Sequence, residues 1–389
     1  MIRSFLAGTA LALLLSSAAY AEDFHGYDPA TFDGAMLSAD MLKAMVADAA
    51  KVKPPKNGKN YVIGFANLQR DIPFCALVEG GIKKNADAAG IELVVVDNHL
   101  DGATALANAE SLISRNVDFV IEFQTDANFG ATIMKKMNDA GIQVFAIDIP
   151  MPGAGFFGVN NPKAGFMGGS YLAQASIAKY GIDKVKAGYF IEGDLPQSGP
   201  IPAMRTGGQV AGFLASVPGF DKSHVLTFDS KNTLDVSFTQ TNSLLAKIPD
   251  DAVIMGTAIN DQASTGIMRA AKQAGRKNLV VVGLGADETE TLSKEPEFVA
   301  SVASFPERYG NALIPIAFSK LAGKTLPDAV LINHVMMTKQ NICKYYDKFA
   351  CADGAGVTYT FPQAAFEEHL KSLQTKPELK DVQNLVPKN

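Results

Sequence analysis

Short apolar runs alternate with segments of helical periodicity from Tyr61 onward. The first four runs are "YVIGFA", "IELVVVDN", "VDFVIEFQ" and "QVFAIDI". Each is apolar at nearly every position, which is typical of strands that helices cover on both faces of a parallel sheet. The regular alternation of such strands with helices predicts a doubly wound α/β domain.

A second series of the same kind follows the short strand "FFGVN". Its runs are "KVKAGYFIEG", "HVLTFD", "AVIMGTA" and "LVVVGL", and the alternation ends with "FVASVASF" and "AVLINHVMM". We therefore expect two doubly wound parallel-sheet lobes joined by a hinge, with residues 58–160 plus 305–333 in the N-terminal lobe and 161–304 in the C-terminal lobe. The chain would cross between the lobes near Asn160, Ser304 and Asn333.

Both ends of the chain lie outside this alternation. Residues 1–21 have the order of a secretory signal peptide, with Arg3, an apolar run and the small-x-small pattern Ala19-Tyr20-Ala21. The run is too short to span a bilayer comfortably, so we expect cleavage and export, with an uncleaved membrane anchor as the alternative. Residues 22–57 are expected to be a leader that ends in a linker, and residues 334–389 a C-terminal extension.

Composition narrows the classes of function. The 389 residues exceed the ~250–300 that one core usually supports, which also favours two domains. A net charge of −5 and the lack of a basic tract argue against a nucleic-acid partner.

Cys343 and Cys351 lie close together in a polar tail, which suits a local disulfide in an oxidising compartment. Cys75 is then expected to be a small buried apolar residue.

Polar side chains follow the strands at the places where a doubly wound sheet binds ligands. Most are short hydrogen-bonding residues, and few are arginines, which suits an uncharged ligand with many hydroxyl groups. The candidate residues are Asn67, Arg70, Asp71, Phe74, Gln124, Asp148, Arg205, Asn232, Asn260 and Asp287.

Several stretches in this order resemble the type I periplasmic solute-binding proteins of ABC importers, in the ribose-binding-protein-like group. They include "IGFANLQRDIPFCALVEGG", "IEFQTD", "VFAIDI", "MRTGGQVAGF", "MGTAINDQASTGIMRA" and "VVGLGAD", and the likeness covers roughly residues 59–338. The resemblance implies a two-lobed periplasmic protein without a cofactor that acts as a monomer. It also implies delivery of a sugar or polyol to the permease and ATPase subunits of an importer.

The resemblance also implies roles for individual residues. "DIPFC" stands where the family has Asn/Asp-Pro-Phe-Phe, so Phe74 would stack on a sugar face and Arg70 or Asp71 would take the polar role. Ser304 stands where the family often has a glutamine at the last crossing, and joins the candidate residues. Ile149 replaces a family arginine after Asp148. This departure argues against plain ribose and favours another sugar or a polyol.

Two other classes of function are open at this point. A periplasmic sensor module for a membrane receptor would use the same fold, and the sequence does not separate it from a transport protein. An exported α/β enzyme is disfavoured, because "GFANLQRDIPF" lacks the G-x-G-x-x-G of dinucleotide enzymes and G-x-S-x-G is absent.

Overall fold

Two six-stranded sheets divide the chain into two lobes. The computed structural model describes residues 24–29, 34–124 and 126–387, and the expected signal peptide lies outside these ranges. The first sheet is parallel throughout, with its strands in the order β2-β1-β3-β4-β5-β11. Its strands are β1 (Val62–Asn67), β2 (Glu92–Asp97), β3 (Phe119–Glu122), β4 (Gln143–Ile147), β5 (Gly155–Val159) and β11 (Ala329–Ile332).

The second sheet repeats this plan with one antiparallel edge, in the order β7-β6-β8-β9-β10-β12. Its strands are β6 (Tyr189–Asp194), β7 (Val225–Asp229), β8 (Ile254–Ala258), β9 (Leu279–Gly285), β10 (Phe298–Ala303) and β12 (Val335–Thr338). The prediction of two doubly wound lobes is confirmed. The run "AVLINHVMM", however, forms two strands in two different sheets, so the second lobe includes residues that we had assigned to the extension.

Helices cover both faces of each sheet. The first lobe carries α1 (Ala39–Val52), α2 (Pro73–Ala89), α3 (Gly102–Ser114), α4 (Gly130–Asp139) and α11 (Tyr309–Leu321). The second carries α5 (Asn161–Tyr180), α6 (Ile182–Lys186), α7 (Pro200–Ser216), α8 (Leu234–Leu245), α9 (Asp261–Gln273) and α10 (Thr289–Lys294). Among the described ranges, none of the helices combines the length and the apolar character that a membrane span requires.

This double cover explains the continuous apolar runs. Every residue of β1, β3, β8 and β9 is buried, because side chains on both faces of these strands enter a core. One core of the first lobe lies against α2 and α11, and the other lies against α3 and α4. The second lobe likewise has a core on each side of its sheet.

The chain passes between the two sheets three times. The first crossing lies between Val159 of β5 and Asn161 of α5, and the second between Ala303 of β10 and Tyr309 of α11. The third separates β11 from β12 and contains only residues 333 and 334. All three are short, so the lobes are joined by a narrow hinge, in which the second crossing contains a 3-10 helical turn at Pro306–Arg308.

The leader contributes a helix to the first lobe. Ser38 caps α1 by accepting a hydrogen bond from the backbone N–H of Met41, and α1 packs against α2 and α11. Leu42, Met45 and Ala49 are fully buried, at the i, i+3, i+7 spacing of one helix face. The described part of the leader therefore includes a helix that packs into the first lobe.

The C-terminal extension contacts both lobes. Its helix α12 (Gln363–Gln374) packs on α7 and α5 of the second lobe. Phe366 of α12 lies in one apolar cluster with Phe166 of α5 and Phe156 of β5 in the first lobe. Farther on, the amide of Asn384 donates to Asp328, next to β11, at 3.3 Å. The extension therefore lies across the boundary between the lobes.

The cysteines are arranged as expected. Cys343 and Cys351 form a disulfide near the start of the extension. Cys75 is free and buried near the start of α2, and burial raises the pKa of its thiol well above the ordinary value. A buried thiol with a raised pKa is a poor nucleophile, which suits an apolar packing role.

Neighbouring residues of α1 test whether the leader is part of the first lobe. Leu42→Ala removes a fully buried side chain, so we expect the free energy of unfolding to fall by about 2–5 kcal/mol. Met41→Ala, one residue earlier and 44% exposed, should change it by about 0.5 kcal/mol or less. Calorimetric unfolding of the two variants makes the comparison. Equal effects would show that α1 is not packed as described.

Candidate functional site

A cavity lies between the two lobes, at the carboxyl ends of the strands of both sheets. Its volume is ≈ 50 Å³, and both lobes contribute to its walls. The first lobe supplies Leu68, Phe74, Cys75, Phe123, Asp148 and Ile149. The second supplies Leu195, Ser198, Pro202, Arg205, Asn232, Ile259, Asn260 and Leu284.

Aromatic rings build one wall of this cavity. Phe74 stands at the start of α2, where Pro73 occupies the first helical turn and directs the next residue toward the cleft. Its ring meets Phe123 edge to face at 6.4 Å between centroids. It also meets Tyr309 at 5.7 Å, in the same T-shaped geometry. These contacts hold Phe74 in one orientation and leave an apolar ring surface beside the cavity.

Asp148 follows β4 directly and brings a carboxylate to the cleft. Its backbone is left-handed, with φ 51°, which turns the chain sharply after the strand. One oxygen accepts a hydrogen bond from the backbone N–H of Val159 at 2.8 Å, and the other accepts from the hydroxyl of Tyr309 at 3.3 Å. Burial raises the pKa of Asp148, and the positive charge of Arg205 opposes that rise.

Arg205 brings the opposite charge from the second lobe. It lies on α7, which approaches α5 so closely that a Cβ on Gly165 would stand 1.9 Å from the Arg205 carbonyl oxygen. This approach lets Nε of Arg205 donate to Oδ1 of Asn161 at 2.9 Å, while Nη1 donates to the carbonyl of Ile259 at 2.9 Å. In the described part of the chain, Nη2 has no acceptor, so it is available to a ligand.

Burial disfavours the charged form of Arg205, as it disfavours the charged form of Asp148. It lowers the pKa of the guanidinium below its ordinary value, and the negative charge of Asp148 acts in the other direction. Because an arginine stays protonated even after a moderate downward shift, the second lobe presents a fixed positive charge to the cavity.

Asn232 and Asn260 form the remaining polar corner. The side-chain amide of Asn260 donates to Oδ1 of Asn232 at 2.8 Å and to its carbonyl at 3.1 Å. Oδ1 of Asn260 accepts from the backbone N–H of Ala263 at 2.8 Å and so caps α9. Asn260 therefore holds Asn232, whose φ is 64°, and has little hydrogen-bonding capacity left for a ligand.

Asp287 lies beside the cavity without lining it. Both carboxylate oxygens are buried and have no hydrogen-bond partner among the described residues. Burial raises the pKa of Asp287 well above its ordinary value, and the charges of Asp261 and Glu288 raise it further. A Cβ on Gly285 would stand 2.3 Å from Oδ1 of Asp287 and 3.4 Å from the ring of Phe74, which places Asp287 near the boundary between the lobes.

Two of the sequence candidates point away from the cavity. The guanidinium of Arg70 forms a two-point ion pair with Glu79 of α2, at 2.8 Å from Nε and 2.6 Å from Nη2, and is half exposed. Asp71 is exposed. The turn after β1 thus turns its charges to solvent and directs only Phe74 inward.

Three other candidates are buried behind the walls. The amide of Asn67 donates to the Cys75 carbonyl at 3.2 Å and to Glu79 at 3.0 Å, which fixes the start of α2. Gln124 is fully buried after β3 and accepts from a backbone N–H at 3.4 Å. Ser304 donates to the carbonyl of Gly285 at 3.3 Å and lines a separate cavity at the hinge.

The residues that sequence reasoning missed are mostly apolar. Leu68, Phe123 and Ile259 each come directly after a strand and line the cavity. The sequence contains a signal for these three residues, because each stands at the first position after a strand, as Asp148 does. Apart from Phe74, the predicted site contained only polar side chains.

Comparison with known proteins decides the family. A family model described as the periplasmic binding protein domain matches residues 63–325, which include most of both lobes. The chain belongs to the periplasmic binding protein family. Proteins of this family bind a substrate rather than transform it, and the family implies a periplasmic location. The alternative of an exported enzyme is therefore set aside.

Individual relatives agree with this assignment. The ribose import binding protein of Haemophilus influenzae is 30% identical to this periplasmic binding protein over 301 residues, which are 75% of this chain and 93% of that protein. Two solved ABC transporter solute-binding proteins share the fold. One from Agrobacterium vitis, bound with α-D-tagatopyranose, has a TM-score of 0.63 at 19% identity and covers 75% of this chain and 100% of its own. One from Bacillus halodurans, with bound myo-inositol, has a TM-score of 0.60 at 20% identity and covers 75% and 98%.

Asn260 both caps α9 and holds Asn232, so its loss should affect stability and ligand affinity. Asn260→Ala removes the cap of α9 and the support of Asn232, so we expect a stability loss of about 0.5–2 kcal/mol and weaker ligand binding. Ser38→Ala removes the cap of α1, a helix none of whose residues lines the cavity, and should lower stability by a similar amount with unchanged affinity. Thermal unfolding and titration calorimetry separate the two. Equal affinity losses in both variants would contradict the role of Asn260.

Proposed function

We propose that this periplasmic binding protein captures an uncharged sugar or polyol between its lobes and delivers it to the permease and ATPase subunits of an ABC importer. The observation that carries the proposal is the cavity in which Asp148 and Arg205 face each other from opposite lobes. The proposal includes export through a cleaved N-terminal signal peptide and action as a monomer.

The chemistry of the walls suits a hydroxylated ring. Asp148 accepts hydrogen bonds, Nη2 of Arg205 donates them, and Asn232 offers an amide, so hydroxyl groups can be paired from several directions. The apolar C–H face of a sugar or cyclitol can pack on Phe74. The two charges balance each other, so a neutral ligand leaves neither a net positive nor a net negative site.

Closure of the lobes follows from this division of contacts. Asp148 belongs to the first lobe and Arg205 to the second, so a ligand meets both only when the lobes are together. A cavity of ≈ 50 Å³ has room for roughly four water molecules at about 10–15 Å³ each, which is less than a sugar ring needs. Entry of such a ligand therefore requires the lobes to separate about the three crossings and to close again.

The ligands of the relatives support the same class. The Haemophilus influenzae relative is named for ribose import, and the two solved structures carry a ketohexose ring and a cyclitol. In the present chain Ile149 lines the cavity next to Asp148, so the wall beside this carboxylate is apolar. We infer a ligand with fewer charged contacts than ribose receives in the ribose-binding group.

A ligand screen tests the class of ligand. Sugars and polyols, with D-ribose, D-tagatose, myo-inositol and glycerol among them, should be compared with amino acids by thermal shift on the mature protein. A true ligand at 100 times its Kd adds about 2.7 kcal/mol to the free energy of unfolding, so we expect a clear rise in Tm with at least one sugar or polyol. A rise with amino acids alone would contradict the proposal.

Two arginines offer a matched test of the site. Arg205→Lys keeps the charge but cannot keep bonds to Asn161, Ile259 and a ligand at once, so the affinity should fall about 10- to 100-fold. Arg70→Lys changes an arginine that pairs with Glu79 outside the cavity, and its affinity should stay at the wild-type value. Titration calorimetry with the ligand from the screen measures both. An unchanged affinity in Arg205→Lys would show that Arg205 does not bind the ligand.

A further inference from the structure

Three consecutive residues at the first crossing between the lobes, Val159, Asn160 and Asn161, each form a hydrogen bond with a different partner. The backbone N–H of Val159 donates to the carboxylate of Asp148 at 2.8 Å. The side-chain oxygen of Asn161 accepts from Nε of Arg205 at 2.9 Å. The residue between them, Asn160, donates its backbone N–H to Nε2 of His334 at 3.1 Å. One short segment thus contacts both charged residues of the cleft and a histidine outside it.

His334 ties this crossing to the other two. It lies in the third crossing itself, between β11 and β12. Its Nδ1 is 3.3 Å from the carbonyl oxygen of Ala303, at the last residue before the second crossing. A single imidazole therefore connects all three segments through which the chain passes between the lobes.

These partners determine the proton position on the ring. The backbone N–H of Asn160 can only donate, so Nε2 must carry a lone pair. The carbonyl of Ala303 can only accept, so Nδ1 must carry the proton. The imidazole is therefore neutral and in the Nδ1–H tautomer, and a doubly protonated ring would lose the bond to Asn160.

We propose that His334 is the positioning residue that joins the three crossings and, through residues 159–161, holds Asp148 and Arg205 at the spacing that ligand binding needs. This inference rests on the proposed function in one respect, that the cleft between these two residues is where the ligand binds. His334 itself does not line the cavity and acts only through the crossing segments.

The surroundings favour the neutral ring. The pKa of His334 is lowered to about 4, with burial as the largest cause; the Ala303 carbonyl raises the pKa, and the positive charges of Arg205 and Lys163 act in the same direction as burial. An unfolded histidine has a pKa of about 6.5. Between these two values the unfolded chain binds a proton that the folded chain does not, so the contribution of His334 to stability is present at neutral pH and falls as the pH drops toward 4.

Two substitutions distinguish the contribution of the hydrogen bond from Asn160 from that of the imidazole ring itself. His334→Phe keeps a planar ring but removes both bonds, and we expect a loss of affinity of about tenfold at pH 7, the order expected for one lost buried bond. His334→Gln places an acceptor oxygen near the position of Nε2, so it should restore most of the affinity. Neither variant titrates, so both should lack the part of the Tm decrease between pH 6.5 and 4 that His334 causes in the wild-type protein.

A second histidine provides the control. His224 also places its Nδ1 against a backbone carbonyl, that of Gly188 at 3.0 Å, and stacks on Tyr189, but these residues all lie within the second lobe. His224→Phe should lower Tm without changing the affinity for ligand. A purely structural role for His334 predicts the same result for His334→Phe, so lowered Tm with wild-type affinity in that variant would overturn the proposal.

The wild-type protein gives a test that needs no folded variant. Nitrogen-15 NMR of the imidazoles should show His334 neutral and in the Nδ1–H tautomer from pH 7 down to about 5. If His334 is an imidazolium at pH 6, or the Nε2–H tautomer, the proposal fails. If no sugar or polyol binds, the proposed function fails, while the tautomer and the pH dependence of Tm still report on His334.

Discussion

Asp148 and Arg205 are both buried at the cleft between the lobes, and the arrangement around them follows from the need to keep both charges hydrogen-bonded. A buried charge that loses its partners costs several kcal/mol, which is more than most single contacts contribute. Asp148 receives bonds from Val159 and Tyr309, and Arg205 donates to Asn161 and Ile259. Two of these four partners, Val159 and Asn161, flank the first crossing, so the cleft and the hinge are parts of one network.

The helix pair α5 and α7 shows how packing serves that network. The Cβ positions of Gly165 and Gly169 point into backbone atoms of α7 at 1.9 and 1.8 Å, so side chains at these two positions would force the helices apart. Arg205 would then move away from Asn161, and its Nε would lose its acceptor. The small residues on α5 thus matter for the site although none of them touches the cavity.

The additions at both ends of the chain sit on the same framework. The leader covers α2 and α11 in the first lobe, and the extension places Phe366 against residues of both lobes. Because Asn384 also contacts Asp328 of the first lobe, movement of the lobes must either keep or break contacts of the extension. The relative position of the lobes therefore depends on residues 363–386 as well as on the three crossings.

Local patterns in the sequence were sufficient for the elements and for part of the site. Continuous apolar runs identify strands that are covered on both faces, and the carboxyl ends of parallel strands meet at one edge. For that reason Asp148, Asn232 and Asn260 could be placed at the cleft from their positions after strands, and all three line the cavity. The same reasoning also extends to the apolar residues Leu68, Phe123 and Ile259, which stand at equivalent positions.

Tertiary structure alone decided which partner each polar group takes. Arg70 follows a strand as Asp148 does, yet its long side chain reaches Glu79 on the outer surface of α2, and no local rule distinguishes that partner from a ligand. Asn160 and His334 are 174 residues apart in sequence and meet only because two crossings lie side by side in the folded hinge. A hydrogen bond requires its two atoms at about 3 Å, and separations of that kind are determined by the packing of whole lobes rather than by the residues near either atom.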